Sequence, residues 1–231
     1  MTIMQVTHTS ECTDRKVRWQ TPGFQPKIAL AAALLLAASM NLAGAAEGRS
    51  LTLYSAYRDG GSFQNQTTGK SASIGSSAAY SASLEFPLDA SRQFQVLYSY
   101  QKSSLGLESP LSGATPANGG FPLQIMYLQL GGTSFLTGEI GHGTYLVGGL
   151  GAALFDPTAA GYDSELRFAA NLGLGYQQPL GKHLALRFEA RGYFSLINSS
   201  GGLFCNGGCT LAIAGDAVAQ GELSIGLAFS L

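Results

Sequence analysis

Leu223 to Leu231 alternate without interruption: Leu223, Ile225, Leu227, Phe229 and Leu231 are apolar, and Ser224, Gly226, Ala228 and Ser230 between them are small or polar. A strand repeats every two residues, so the five large side chains stand on one surface and the small set on the other. Such a strand can finish a soluble sandwich, with its apolar face on a core. It can also close a barrel lodged in a bilayer, with that face on lipid and the polar face on the lumen. The rest of the chain decides which solvent the apolar face meets.

At the other end, Ile28 to Ala46 is uncharged and rich in Ala and Leu, with Arg15, Lys16, Arg18 and Lys27 ahead of it. A basic region, an apolar stretch and the small-residue site Ala43-Gly44-Ala45 read as a secretory signal peptide cut before Ala46. The expected division is therefore a cleaved signal peptide over 1–45 and one barrel domain over 46–231. The rival is an uncleaved anchor, since roughly 18 apolar residues can span a bilayer. Against it, the strongly apolar part stops at Met40 and Asn41 follows.

Without the leader, nine basic and 12 acidic residues remain, a formal charge of 9 − 12 = −3. That balance excludes a nucleic-acid binder. Charged residues are 12% of the chain, about half the usual share, and glycines number 31. No later segment is long and apolar enough for a transmembrane helix, so a membrane would be crossed by strands.

Eight strands are expected. The first is Leu51 to Arg58, with Leu51, Leu53 and Tyr57 facing out and Thr52, Tyr54 and Arg58 facing in. The second, about Ile74 to Phe86, sets Ile74, Ala78, Tyr80, Ala82, Leu84 and Phe86 outside and Ser77, Ala79, Ser81, Ser83 and Glu85 inside. The third, Gln93 to Gln101, opposes Phe94, Val96, Tyr98 and Tyr100 to Gln93, Gln95, Ser99 and Gln101. The fourth, Gln124 to about Ser134, opposes Met126, Leu128 and Leu130 to Tyr127 and Gln129. In the fifth, Thr144 to Phe155, glycines fall on both parities, so the period does not fix its facing. The sixth sets Leu166, Phe168, Ala170, Leu172, Leu174 and Tyr176 against Arg167, Ala169, Asn171 and Gln177. The seventh sets Leu184, Leu186, Phe188, Phe194 and Leu196 against Arg187, Glu189, Arg191 and Tyr193, and the terminal strand begins near Gln220 and carries Glu222 inward.

Strands of about 9 to 12 residues cross a bilayer at a ~45° tilt. An even number leaves both termini on one side, the periplasm for an exported chain. Connections Asp59 to Ser73, Lys102 to Pro122, Asp156 to Asp163 and Asn198 to Ala217 are then surface loops, mostly longer than the turns Pro87 to Arg92 and Gln178 to His183. Tyr57, Tyr80, Tyr98, Tyr100, Tyr176, Phe86, Phe94, Phe155, Phe194 and Phe229 fit girdle positions at the headgroups. A soluble barrel would invert this polarity, apolar inside and charged outside. The expected fold is thus all-β, a closed eight-stranded antiparallel transmembrane β-barrel.

The inward faces carry a lumen charge network of Arg58, Glu85, Arg167, Arg187, Glu189, Arg191 and Glu222. Eight strands leave an interior just wide enough for side chains to fill. One reading is a paired ionic plug, because unpaired buried charge is costly; the other is a narrow gated pore. Catalysis is not expected. A hydrolase needs a nucleophile beside an oriented His. After the leader only His142 and His183 remain, both at expected turns, and Asp156, Asp163 and Asp216 near the outer rim have no His with them. Cys205 and Cys209, spaced by Asn206-Gly207-Gly208, suit a disulfide in an oxidising compartment, while a metal site would want a third or fourth ligand nearby.

Leu130-Gly131-Gly132-Thr133, Val147-Gly148-Gly149-Leu150-Gly151-Ala152 leading to Phe155-Asp156-Pro157, and Leu186-Arg187-Phe188-Glu189-Ala190-Arg191-Gly192-Tyr193 with Phe204-Cys205 and Cys209 carry a resemblance. In these segments the chain resembles a proteobacterial family of small outer-membrane β-barrel domain proteins, similar in architecture to the OmpA, OmpX and OmpW barrels. The resemblance implies the outer membrane of a Gram-negative bacterium, with outer-membrane lipid as solvent. It also implies assembly by the barrel-assembly machinery through the C-terminal strand, although Leu231 stands where a terminal Phe is usual. It implies no activity. The functional expectation is a membrane-anchored structural scaffold whose four surface loops meet an extracellular ligand, with no cofactor. The alternatives are passage of small solutes or hydrophobic molecules, and a lipid-modifying enzyme.

Overall fold

The computed structural model describes residues 48–64, 71–107, 120–158, 164–196 and 217–231. The expected leader and the Cys205 and Cys209 loop lie outside them. Ten strands follow in order: β1 Ser50–Arg58, β2 Ser62–Gln64, β3 Ser71–Ile74, β4 Ser77–Pro87, β5 Arg92–Leu107, β6 Gly120–Phe135, β7 Gly143–Pro157, β8 Glu165–Pro179, β9 Leu184–Leu196 and β10 Ala217–Ser230. Eight of them are staves of a closed antiparallel ring in the order β5, β4, β1, β10, β9, β8, β7, β6 and back to β5. The terminal alternation is used in full: β10 pairs with β1 from Ser50↔Ser230 to Arg58↔Glu222 and with β9 along its other edge. No strand edge of the ring is left open, which is what lets a sheet stand in hydrocarbon.

The polarity is that of a membrane barrel. Leu166, Leu172 and Leu223 point outward and are 69%, 66% and 70% exposed, and every stave carries apolar side chains on the same outer surface. Arg58, Glu85, Gln93, Gln101, Gln129 and Arg187 point inward and are buried. A soluble barrel cannot be built this way, because its outer leucines would face water while its charges lost theirs. Among the described residues no helix is long and apolar enough to cross a membrane.

The staves are longer than expected, from 9 residues in β1 to 16 in β5 and β6. Neighbouring strands keep pairing past the apolar band, as in Gly106↔Gly120, so less of the chain is loop. The first connection holds the β2–β3 hairpin, with β3 pairing to β5 above β4. Ile74 is buried inside, not outside. From Ile74↔Leu105 to Ala79↔Gln101 the chain takes five steps against four on β5, and this one-residue bulge turns Ile74 to the inner face. In β7 the odd positions face inward: Tyr145, Val147, Ala153 and Phe155 are buried, whereas Leu146 and Leu150 are exposed. Phe155 is therefore a lumenal residue and leaves the expected girdle.

Candidate functional site

The inner faces of β1, β4, β9 and β10 place three guanidinium–carboxylate pairs in the lumen. Near the extracellular end, Arg58 Nε donates to Glu222 Oε2 at 2.8 Å, and its guanidinium lies 4.3 Å from the Tyr193 ring and 5.1 Å from the Tyr127 ring. Tyr193 Oη donates to Glu222 Oε1 at 3.2 Å, and Tyr127 Oη to Gln220 Oε1 at 2.6 Å. Gln220 in turn donates to the Gly60 carbonyl at 3.2 Å, which ties the network to the rim. Two rings clamp one cation here, an arrangement in which the π faces replace part of the lost hydration.

Towards the periplasmic end, Glu85 collects donors from three other staves. Ser50 Oγ reaches it at 2.9 Å, Thr52 Oγ1 at 3.2 Å, Gln95 Nε2 at 3.1 Å and Arg187 Nη1 at 2.9 Å. Arg187 also donates to Gln177 Oε1 at 2.6 Å and to Tyr54 Oη at 3.1 Å, with its guanidinium 5.3 Å from the Tyr145 ring. Between the two layers Arg191 Nε donates to Glu189 Oε1 at 2.7 Å and Nη1 to Asn171 Oδ1 at 3.0 Å, while Tyr145 Oη donates to Glu189 Oε2 at 3.0 Å. Three positive and three negative charges balance. Charges this deep tolerate removal from water only when geometry and extra hydrogen bonds compensate, and every carboxylate here has them.

Arg167 does not join the stack. It faces inward at the extracellular end of β8 and pairs with Glu165, two residues earlier, with side chains 20% and 13% exposed. A partner on its own strand lies closer than any lumenal carboxylate, so the local pair wins. Tyr54, Tyr127, Tyr145 and Tyr193 complete the network. Their signal in the sequence is parity with the Arg and Glu residues, except for Tyr145 on the glycine-rich stave. Among the described residues, five buried lumenal atoms have no protein partner: Arg58 Nη1, Ser81 Oγ, Gln93 Oε1, Gln129 Nε2 and Thr133 Oγ1. His142 and His183 sit exposed in the turns before β7 and β9. No group of three or more His, Cys, Asp or Glu able to hold a metal occurs among the described residues.

No protein-family model matches the chain, and no curated protein matches it in sequence. Solved structures do. The outer membrane protein OprG from Pseudomonas aeruginosa is 13% identical, with 79% of this chain and 95% of that chain covered at a TM-score of 0.51. Neisserial surface protein A is 13% identical over 80% of this chain and 98% of that one, TM-score 0.47. Ail, the attachment invasion locus protein of Yersinia pestis, is 12% identical over 78% and 96%, TM-score 0.40. At such identities the likeness speaks for the fold alone, and the OprG match agrees with the polarity described above. Eight closed antiparallel staves, an apolar exterior and a charged lumen make this chain a small outer-membrane β-barrel.

Proposed function

We propose that the barrel is a closed, membrane-anchored scaffold that holds four extracellular connections for contact with a ligand outside the cell. One observation carries the reading. The lumen is crossed by three ion pairs, Arg58 with Glu222, Arg187 with Glu85 and Arg191 with Glu189, whose side chains are at most 3% exposed. An eight-stranded interior filled this way leaves no continuous water path. The second reading, passage of small solutes, draws on the five unpartnered lumenal atoms, since polar atoms without partners favour entering water. Planar-bilayer recording on refolded protein separates the two. The scaffold gives a wild type that conducts weakly or not at all, and steady wild-type channels overturn it.

A further inference from the structure

The connection between β6 and β7 differs from the other two periplasmic turns. Four residues join β4 to β5 and four join β8 to β9, but seven, Leu136 to His142, lie between Phe135 and Gly143. This segment folds back under the barrel. Ile140 N donates to the Ala90 carbonyl at 2.9 Å and Phe135 N to the Ser91 carbonyl at 2.8 Å, which fixes it against the β4–β5 turn. Ile140 packs against a cluster formed by Phe135, Tyr145 and Val147, three inward-facing residues that are 3%, 0% and 2% exposed. On the far side, a Cβ at Gly141 would lie 3.8 Å from Nε2 of Gln177, the residue that accepts from Arg187. The segment thus reaches from the β5 side of the mouth to β8. Gly138, Gly141 and Gly143 have φ of 84°, 95° and 85°, values that side-chain-bearing residues rarely adopt, so the path is bent by glycine at three points.

We propose that residues 136–142 form a lid over the periplasmic end of the lumen, with Ile140 seated on Phe135, Tyr145 and Val147. The lid lies directly below the ion pairs, because Tyr145 Oη holds Glu189. A small hydrophilic solute from the periplasm meets Ile140 before any of the three lumenal ion pairs. This extends the closed-lumen reading, and its test is independent of conductance. A conducting wild type sinks that reading alone, and unchanged labelling in a barrel that stays closed sinks the lid alone.

The test uses the full chain with Cys12, Cys205 and Cys209 changed to Ser, carrying Val147→Cys in lipid nanodiscs, and a charged methanethiosulfonate reagent as probe. The lid gives slow labelling of Val147→Cys and a rate at least tenfold higher when Ile140→Gly is added. Ile140→Leu, which keeps the bulk, leaves labelling slow. Ala153→Cys, buried near the extracellular end, is unaffected by Ile140→Gly. Heat-dependent gel mobility confirms that each variant is a folded barrel. Fast labelling with Ile140 in place, an unchanged rate after Ile140→Gly, or equal acceleration at Val147→Cys and Ala153→Cys each overturn the proposal.

Discussion

The ring of Tyr145 occupies the space that a side chain on Gly175 would fill. The two residues face each other across the β7–β8 ladder, and a Cβ on Gly175 would lie 2.2 Å from the ring. Tyr54 and Gly226 repeat the arrangement across β1–β10, with a Cβ 2.5 Å from the ring. Both tyrosines meet Arg187, one through a hydrogen bond to its hydroxyl and one through its face. Two inward glycines therefore let two rings lie against β8 and β10, the staves that flank β9, and hold the Arg187 guanidinium of β9 between them.

Gly175→Val should displace Tyr145, break its bond to Glu189 and lower stability by ~1 to 3 kcal/mol, the usual cost of overpacking. Gly221→Val, on the outer surface where a Cβ meets nothing within 4 Å, should change stability by no more than about 0.5 kcal/mol. Urea unfolding of both variants in the same lipid checks the difference.

The outer face of β8 tests the bilayer as solvent. Leu172→Arg should cost ~2 to 4 kcal/mol near the midplane, and Gln178→Arg, on the same face near the periplasmic end, only ~0 to 1. Folding yield into lipid vesicles, read by the mobility difference between heated and unheated samples, should drop for the first and hold for the second. Equal losses would mean that the two positions do not differ in depth.

Glu85→Ala should be among the costliest single changes in the lumen, since it leaves the buried Arg187 charge without its carboxylate, at ~3 to 5 kcal/mol. Arg92→Ala, which breaks an exposed pair with Asp89, should cost ~0 to 1 kcal/mol. Replacing both Glu85 and Arg187 by Met should recover much of the loss, because an apolar pair carries no desolvation penalty. Denaturant midpoints of the four proteins decide it, and a double variant as weak as Glu85→Ala would show that the hydrogen bonds matter more than the charge.

How much of this was legible depends on the rule each part obeys. A two-residue period is written directly in the sequence, so Arg187, Glu189 and Arg191 at alternate positions must share a face. Who pairs with whom is not written there. Glu222 stands opposite Arg191 in the β9–β10 register and opposite Arg58 in the β1–β10 register, and it binds Arg58, while Arg191 takes Glu189 from its own strand. The facing of β7 was hidden because Gly148, Gly149 and Gly151 remove the contrast that parity needs. Ile74 was misplaced by a single bulged residue, which leaves no compositional mark beyond Gly75. The Ile140 segment reads as an ordinary turn, since nothing local reports that it packs on inward residues of two staves.

The β4–β5 turn supplies a pH test outside the membrane. Asp89 Oδ1 accepts from the Ser91 and Arg92 amides, each at 2.8 Å, and from Ser91 Oγ at 3.1 Å, while Oδ2 accepts from Arg92 Nε at 2.6 Å. The Ser91 amide bond first, and then the Arg92 side chain, hold the carboxyl below its ordinary 3.8, at about 2. A depressed folded pKa means that the unfolded chain takes up the proton first as pH falls. The contribution is therefore fully present above the unfolded value of about 3.9 and is lost as pH drops through about 2. Asp89→Asn removes that window. Urea midpoints measured at pH 6, 4, 3 and 2 should show the wild type ahead of Asp89→Asn at the two higher values and converging on it at the two lower. Other carboxylates titrate in both proteins and cancel in the comparison. Parallel curves across the whole range would mean that the turn contributes nothing through this carboxylate.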